Sequence, residues 1–418
     1  MSNIKTRKVL GAIAAVAAAS LAVGVSMPAN AAGAADKTLK ITSILPLTGS
    51  LAYLYPPMEA GANLAIEDIN AAGGVLGNKV TLTSKDSGDG TNLAVSTQSA
   101  TAAIADGTDV VLGAAASGVT RNIINQITGA GIVEISPSNT APDLSTWKDN
   151  GFYFRTAPSD NLQGRIVSNQ ILQDGAQNVA ILYANNSYGT GLEGVAKATL
   201  TKAGATVGEF SFPEGETNFD SVVAKVTASK PDAVLIISYD ETMKALPALK
   251  AAGFPGANIY TVDGNTFDYS KQSFASYLAG AQGTIPGAEA PANFKARLVA
   301  EYAKLHPGKT LTSFTYAAES YDAVVLVALA AQEAGKATGA AIKSKLTDVS
   351  LTGKGKVNVT SFAAGLKALK AGKKINYDGY SGPIEFDANG DPTGAFIGIY
   401  RYDTKGVYHL VKTVAGNK

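Results

Sequence analysis

The stretch GAAASGVTRNIINQITGAGIVEISPSNTAPDLS, residues 113–145, decides how the chain is read. It holds two small, hydroxyl-rich turns, Ala114-Ala115-Ala116-Ser117-Gly118 and Ser136-Pro137-Ser138-Asn139-Thr140. Each directly follows an apolar run with the character of a buried strand, Asp109 to Gly113 and Gly131 to Ile135. Two strand ends thus offer hydroxyls and free backbone amides to one crevice, and in a parallel α/β sheet ligands bind outside the carboxyl ends of strands. Taken alone, the turns suit a phosphate, a sugar or a pair of helix caps equally well.

The surrounding sequence alternates strand and helix. Leu39 to Leu47 reads as a strand ending in Thr48-Gly49-Ser50, and Met58, Ala62, Ala65, Ile66 and Ile69 recur at helical spacing across 56–72. Gly73-Gly74 stops that helix, and a strand at 80–84, a helix at 91–105 and the strand at 109–113 follow. After a short extended piece at 152–155 and a polar connection at 157–162, a second series begins. It has helices at 163–173, 190–203, 219–228 and 241–252, and strands at 178–183, 206–212, 233–237 and 258–262. Helices at 291–305, 313–334 and 338–346 exceed what the second series needs and are expected to cover the first sheet again. The chain would then cross between lobes near 156, near 284–290 and near 381–384, ending in strands at 395–402 and 406–413. The expected architecture is α/β, two Rossmann-like lobes with parallel sheets flanked by helices, joined by a three-segment hinge. Lobe 1 comprises 37–156 plus 286–381, and lobe 2 comprises 157–285 plus 382–418, with a ligand cleft between them.

Length and composition restrict the functional class. A chain of 418 residues exceeds what a single core usually supports. Residues 1–31 read as a secretory signal peptide: Lys5, Arg7 and Lys8 precede a small apolar run, and Ala29-Asn30-Ala31 fits the small-residue cleavage pattern. Its removal takes three positive charges from a formal net charge of +1, leaving −2. That balance points to neither nucleic acid nor a membrane surface. There is no cysteine, hence no disulfide and no site for an N-terminal lipid anchor, and Ala323 to Ala331 is too short to span a bilayer. The expectation is a periplasmic protein without stable membrane insertion.

Enzymatic constellations are poorly supplied. Two histidines, His306 and His409, have no neighbouring nucleophile, and no G-x-S-x-G occurs. Gly189-Thr190-Gly191-Leu192-Glu193-Gly194 matches the dinucleotide fingerprint, but five residues separate its first glycine from the preceding strand. Asp387, Asn389 and Asp391 resemble the start of a calcium loop, yet Pro392 stands where glycine is wanted, so this stretch reads as a turn. No catalytic residue, cofactor or metal is expected, and an exported enzyme is the less favoured alternative.

Seven segments in order, ITSILPLTGS, AGANLAIEDINAAGGVLGNKV, GAAASGVT, ISPSNTAPDLS, VAILYANNSYGTG, PDAVLIISYD and SGPIEFDANGD, resemble the periplasmic leucine/isoleucine/valine-binding protein family, the substrate-binding components of ABC importers. The likeness spans nearly all of residues 37–418 and implies a type I periplasmic binding protein fold that closes on an amino acid and presents it to the permease subunits. It further implies that Ser117, the Ser138 carbonyl and Thr140 meet the carboxylate and part of the ammonium. Asp263, in place of the family's glutamate, would face the ammonium, with Tyr188 and Tyr239 at the cleft edge and Tyr53 or Tyr55 in the first-lobe loop. The chemistry agrees, because a zwitterion leaving water needs donors at one end and a countercharge at the other. Another small solute, such as an amide, aromatic or carboxylic acid, for transport or sensing, is the alternative.

Overall fold

The computed structural model describes residues 37–416; the signal-peptide reading at 1–31 lies outside the described residues. The chain opens with β1 (Lys40–Leu45), α1 (Tyr55–Ala71), β2 (Thr81–Asp86), α2 (Leu93–Ala105) and β3 (Val110–Gly113). There follow α3 (Ser117–Gly129), β4 (Val133–Ser136), β5 (Tyr153–Arg155), α4 (Asp160–Gln173), β6 (Asn178–Ala184) and α5 (Ser187–Lys202). The middle of the chain supplies β7 (Thr206–Phe212), α6 (Asp220–Ala228), β8 (Ala233–Ile237), α7 (Thr242–Ala251), β9 (Ile259–Thr261) and β10 (Gln282–Pro286). Helices α8 (Ala292–Leu305), α9 (Ala317–Ala334) and α10 (Gly339–Ser350) come next. The chain ends with β11 (Val357–Val359), α11 (Phe362–Lys370), β12 (Ile375–Gly379), β13 (Gly382–Pro383), β14 (Ala395–Tyr402) and β15 (Tyr408–Gly416).

The first sheet has the order β2-β1-β3-β4-β5, parallel throughout. The second runs β15-β14-β10-β9-β8-β6-β7, parallel from β7 to β10 and antiparallel at β14 and β15. Each sheet reverses its winding once, between β1 and β3 in the first and between β6 and β8 in the second. Such switch points open a crevice at the strands' carboxyl ends. Strand β10, central to the second sheet, and the small β11-β12-β13 sheet escape the pattern reading, which placed only a crossing at 284–290.

Helices α8 to α11 return to the first sheet, where they share one core with Leu39, Ile41, Val110, Leu112, Val133 and Ile135. Helix α9 is buried without interruption from Ala317 to Ala331. A helix buried on every side belongs inside a core, and each buried leucine or valine of this one stabilises the fold by about 1.5–3 kcal/mol. Gly335, at φ 70° in the left-handed region, ends it. Among the described residues no helix is long and apolar enough to cross a membrane. A second cluster joins Ile44, Leu45, Val111 and Ile123 near the first sheet to Val167, Ile181, Leu192 and Leu235 near the second.

Candidate ligand-binding site

The turn after β3 begins with Gly113, whose φ of 134° and approach to β1 exclude a side chain: a Cβ there would lie 2.2 Å from the Ile44 carbonyl oxygen. That bend leads into α3, which starts at Ser117 with its first-turn amides uncapped by any side chain. The Ser117 hydroxyl accepts from the Ala141 N–H at 3.3 Å. The turn after β4 is held from inside. Ser136 Oγ accepts from the N–H groups of Ser138 and Asn139 and donates to the Ala114 carbonyl at 2.7 Å. Asn139 Nδ2 donates to the Ala115 carbonyl at 2.7 Å, and its Oδ1 accepts from the hydroxyls of Thr120 and Tyr153. Ser138 Oγ donates to the Ala115 carbonyl, which cross-links the two turns.

The second sheet contributes the opposite wall. Tyr188 opens α5 after β6, Tyr239 follows β8, and their rings stack 12° from parallel with centroids 5.2 Å apart. Asp263 follows β9 and is buried. Its Oδ1 accepts from Tyr188 Oη and Gln163 Nε2, both at 2.7 Å, and its Oδ2 accepts from Tyr316 Oη at 2.6 Å. Gly264 sits so close beneath Tyr188 that a Cβ would meet the phenol oxygen at 2.9 Å and the Ser238 carbonyl at 2.6 Å. Between the walls lies a cavity of about 20 Å³, lined by Leu51, Leu54, Ala115, Ser117, Ser138, Thr140, Tyr188, Tyr239, Asp263, Gly264 and Tyr316. That volume suits about one water molecule, so a ligand bearing a side chain needs the walls to part.

Hydrogen bonds already join the walls. Tyr53 Oη donates to the Gly264 carbonyl at 2.8 Å, Tyr316 Oη reaches Asp263, and Arg121 Nη1 donates to Ser187 Oγ at 2.6 Å. The Gly90 N–H donates to Glu214 Oε1 at 3.0 Å. Tyr55 turns elsewhere, donating to Glu59 Oε1 one helical turn along α1.

Asp160, at the first position of α4, is fully buried, and neither of its carboxyl oxygens meets a donor in hydrogen-bonding geometry. Burial first, and the Asp263 charge next, push its pKa well above the ordinary carboxylate range. The nearby Thr140 hydroxyl and the Arg155 charge offset only part of this. A helix N-terminus favours a carboxylate by about 0.3–2 kcal/mol, whereas taking an ion out of water costs several, so burial prevails. Asp263 is raised too, again by burial, although three side-chain donors pull it down. Of the two, Asp160 has no donor in hydrogen-bonding geometry to offset its burial, whereas Asp263 has three.

Ser117, Ser138, Thr140, Tyr188, Tyr239 and Asp263 are therefore brought around one cavity; Tyr53 does not line it but bonds to the carbonyl of Gly264, which does, and Tyr55 lies outside it. Asp160, Gln163 and Tyr316 join the site from segments read as a polar connection and as helix. The fingerprint glycines lie inside α5, where Gly189 would clash with the Ala184 carbonyl at 2.0 Å and Gly191 with Pro142 at 2.8 Å if they carried a Cβ. Gly189 lets backbone approach backbone, Gly191 admits the Pro142 ring and Gly194 has open space beside it, so the three are placed by helix packing and not as a phosphate loop. Asp391 does more than form a turn: it is buried and paired with Arg155 at 2.7 Å.

A family model described as periplasmic binding protein matches residues 38–396. The chain belongs to the periplasmic binding protein family. It is 30% identical over 210 residues to Leu/Ile/Val-binding protein homolog 3 of Brucella melitensis, a match covering 50% of this chain and 56% of that protein. Alignments with such relatives thus span little more than half of their length. A substrate-binding protein of a chemotactic signal transduction system, BasB of Halobacterium salinarum, is 26% identical over 386 residues, 87% of each chain. Among solved structures, the LivJ branched-chain amino acid transporter substrate-binding protein of Streptococcus pneumoniae, in complex with isoleucine, superposes with a TM-score of 0.71. It is 24% identical and covers 91% of this chain and 100% of its own. A solute-binding protein of R. palustris in complex with benzoate has the same TM-score at 16% identity, covering 91% of this chain and 98% of its own. The fold is thus α/β, as the alternating pattern indicates, and of the type I periplasmic binding protein kind that the family resemblance implies.

Proposed function

We propose that this chain is the substrate-binding protein of an ABC importer, working in the periplasm. It captures a free amino acid, branched-chain or otherwise small and apolar, between two lobes made of 37–156 plus 286–381 and of 157–285 plus 382–418. The supporting observation is the polarity of the cavity: uncapped amides and the hydroxyls of Ser117 and Thr140 on one wall, Asp263 on the other. An amino acid's carboxylate suits the first and its ammonium the second, each charge leaving water for a partner. Ligand contacts to both walls would favour closure in proportion to their difference between open and closed forms. The closed form would be what the permease accepts, and no covalent chemistry is required. Calorimetry on refolded protein against the free amino acids is the test. Saturable binding of a small apolar amino acid is expected, and no binding of any amino acid at millimolar concentration sinks the reading.

A second reading is favoured by the aromatic walls. Tyr188, Tyr239 and Tyr316 line the cavity, and Asp263 already has three donors, which suits an aromatic or other carboxylic acid without an ammonium. Under that reading Asp263→Ala leaves ligand affinity unchanged. A sensory partner in place of a permease is compatible with either ligand.

A further inference from the structure

We infer that Arg155, which touches no part of the cavity, is the residue that aims the Thr140 N–H at the ligand's carboxylate, through a buried ion pair with Asp391. The inference rests on the amino-acid reading above and adds a positioning residue to it.

Arg155 ends β5 and is entirely buried, as is Asp391 in the loop leading to β14. Its Nε donates to Asp391 Oδ1 at 2.7 Å and its Nη2 to Oδ2 at 3.0 Å, the two-pronged geometry that a guanidinium alone supplies. Ser145 Oγ accepts from Nη2 at 2.8 Å and donates to Oδ2 at 2.6 Å, closing the ring. The remaining nitrogen, Nη1, donates to two carbonyls of the binding turn, Ala141 at 2.9 Å and Asn139 at 3.3 Å.

The Asn139 contact carries the argument. In a trans peptide the carbonyl and the following N–H point in opposite directions, and the only cis bond among the described residues is Gly113–Ala114. With the Asn139 carbonyl drawn onto Arg155, the Thr140 N–H must face away from it. Among the described residues that N–H meets no acceptor, while Thr140 itself is buried and lines the cavity. Buried backbone N–H groups are rarely left open unless a ligand or water takes them. Because Asp391 balances the guanidinium, the turn is fixed without adding net charge beside the site. The Arg155 N–H also donates to the Gly390 carbonyl at 3.0 Å, so the turn, β5 and the loop before β14 form one braced unit.

Leucine and 3-methylbutylamine separate this role from a merely structural one, since the amine keeps the ammonium and side chain but has no oxygen to accept from the Thr140 N–H. Calorimetry of Arg155→Lys and Asp391→Asn is expected to show leucine binding weakened about 10- to 100-fold, the scale of a misaimed contact, with 3-methylbutylamine binding changed less than about 2-fold. Equal losses for both ligands overturn the inference. The Thr140 amide resonance of the ligand-free proteins gives a reading that needs no ligand: it shifts in Arg155→Lys if the guanidinium fixes that peptide. A resonance coincident with the unaltered protein's, in a variant with a full thermal transition, also overturns it. If the unaltered protein binds no amino acid, the proposed function fails, while the resonance still decides the role of Arg155.

Discussion

The two walls of the cavity are built from different materials. On the first-sheet side the groups offered to a ligand are mainly backbone, held by a lattice of internal bonds: Ser136 and Asn139 from within the turn, Arg155 from behind. On the second-sheet side they are side chains, Asp263 with Gln163 and Tyr188, each with torsions of its own, and Tyr316 reaches Asp263 from across the cavity. A carboxylate is common to every amino acid, so a fixed receptor serves it without loss. The ammonium and side-chain end is where ligands differ in reach, and there rotatable groups can re-aim.

If that contrast holds, substitutions on the two sides should differ in size. The largest effect is expected from Asp263→Ala, which removes the countercharge for an ammonium in a buried site. Amino-acid affinity should fall by about 2–3 kcal/mol, roughly 30- to 150-fold, as measured by calorimetry. A loss below 3-fold would move the countercharge elsewhere. Next come Ser117→Ala and Thr140→Val, each removing one hydroxyl while the backbone donors stay. About 10-fold is expected for either, and a collapse of binding would show that hydroxyls, not amides, dominate that wall.

Proton exchange sharpens the contrast further, because only the second wall titrates. Burial raises both Asp160 and Asp263, and the Asp263 charge adds to the rise of Asp160, so an ammonium that balances that charge would lower the Asp160 pKa. Affinity therefore rises with pH, by up to about tenfold per unit, until Asp160 is ionised, and levels off above. Titrations within that rise, in buffers of different ionisation enthalpy, should report proton release on binding; in Asp160→Asn the buffer dependence should shrink. The smallest effect concerns the latch. Tyr53→Phe loses the bond to the Gly264 carbonyl but keeps the edge contact with Phe267, at a cost of about 1 kcal/mol in ligand affinity. Tyr55→Phe, with its hydroxyl spent on Glu59, should bind as the unaltered protein does.

The same division governs what could be read from the sequence. Strand and helix alternate with clear apolar periods, so both sheets and the turns at Ser117 and Ser138–Thr140 are legible in order. Strand β10 is not, because Gln282–Pro286 carries a glycine and a proline and looks like a connection, although its place between β9 and β14 makes it central. The strands of the small sheet, two to five residues long, offer too few side chains for any period to register. Within the site, backbone groups announce themselves by following strands, whereas Tyr316, Asp160 and Gln163 arrive from distant segments. Tyr316 enters from the residue before α9, in the left-handed region at φ 61°, where no periodicity marks it. Choosing Tyr53 over Tyr55 depends on the phase of the short 3-10 turn at Ala52–Leu54, which composition does not encode.

The Tyr316 hydroxyl bears on how selective such a site can be. It holds the Asp263 oxygen that an ammonium would claim, so a ligand arrives as a rival to a group the protein already owns. What is measured as affinity is then the margin of one partner over another, not the strength of either. A solute that cannot outbid a phenol at 2.6 Å is turned away by the protein's own chain, without any wall built against it.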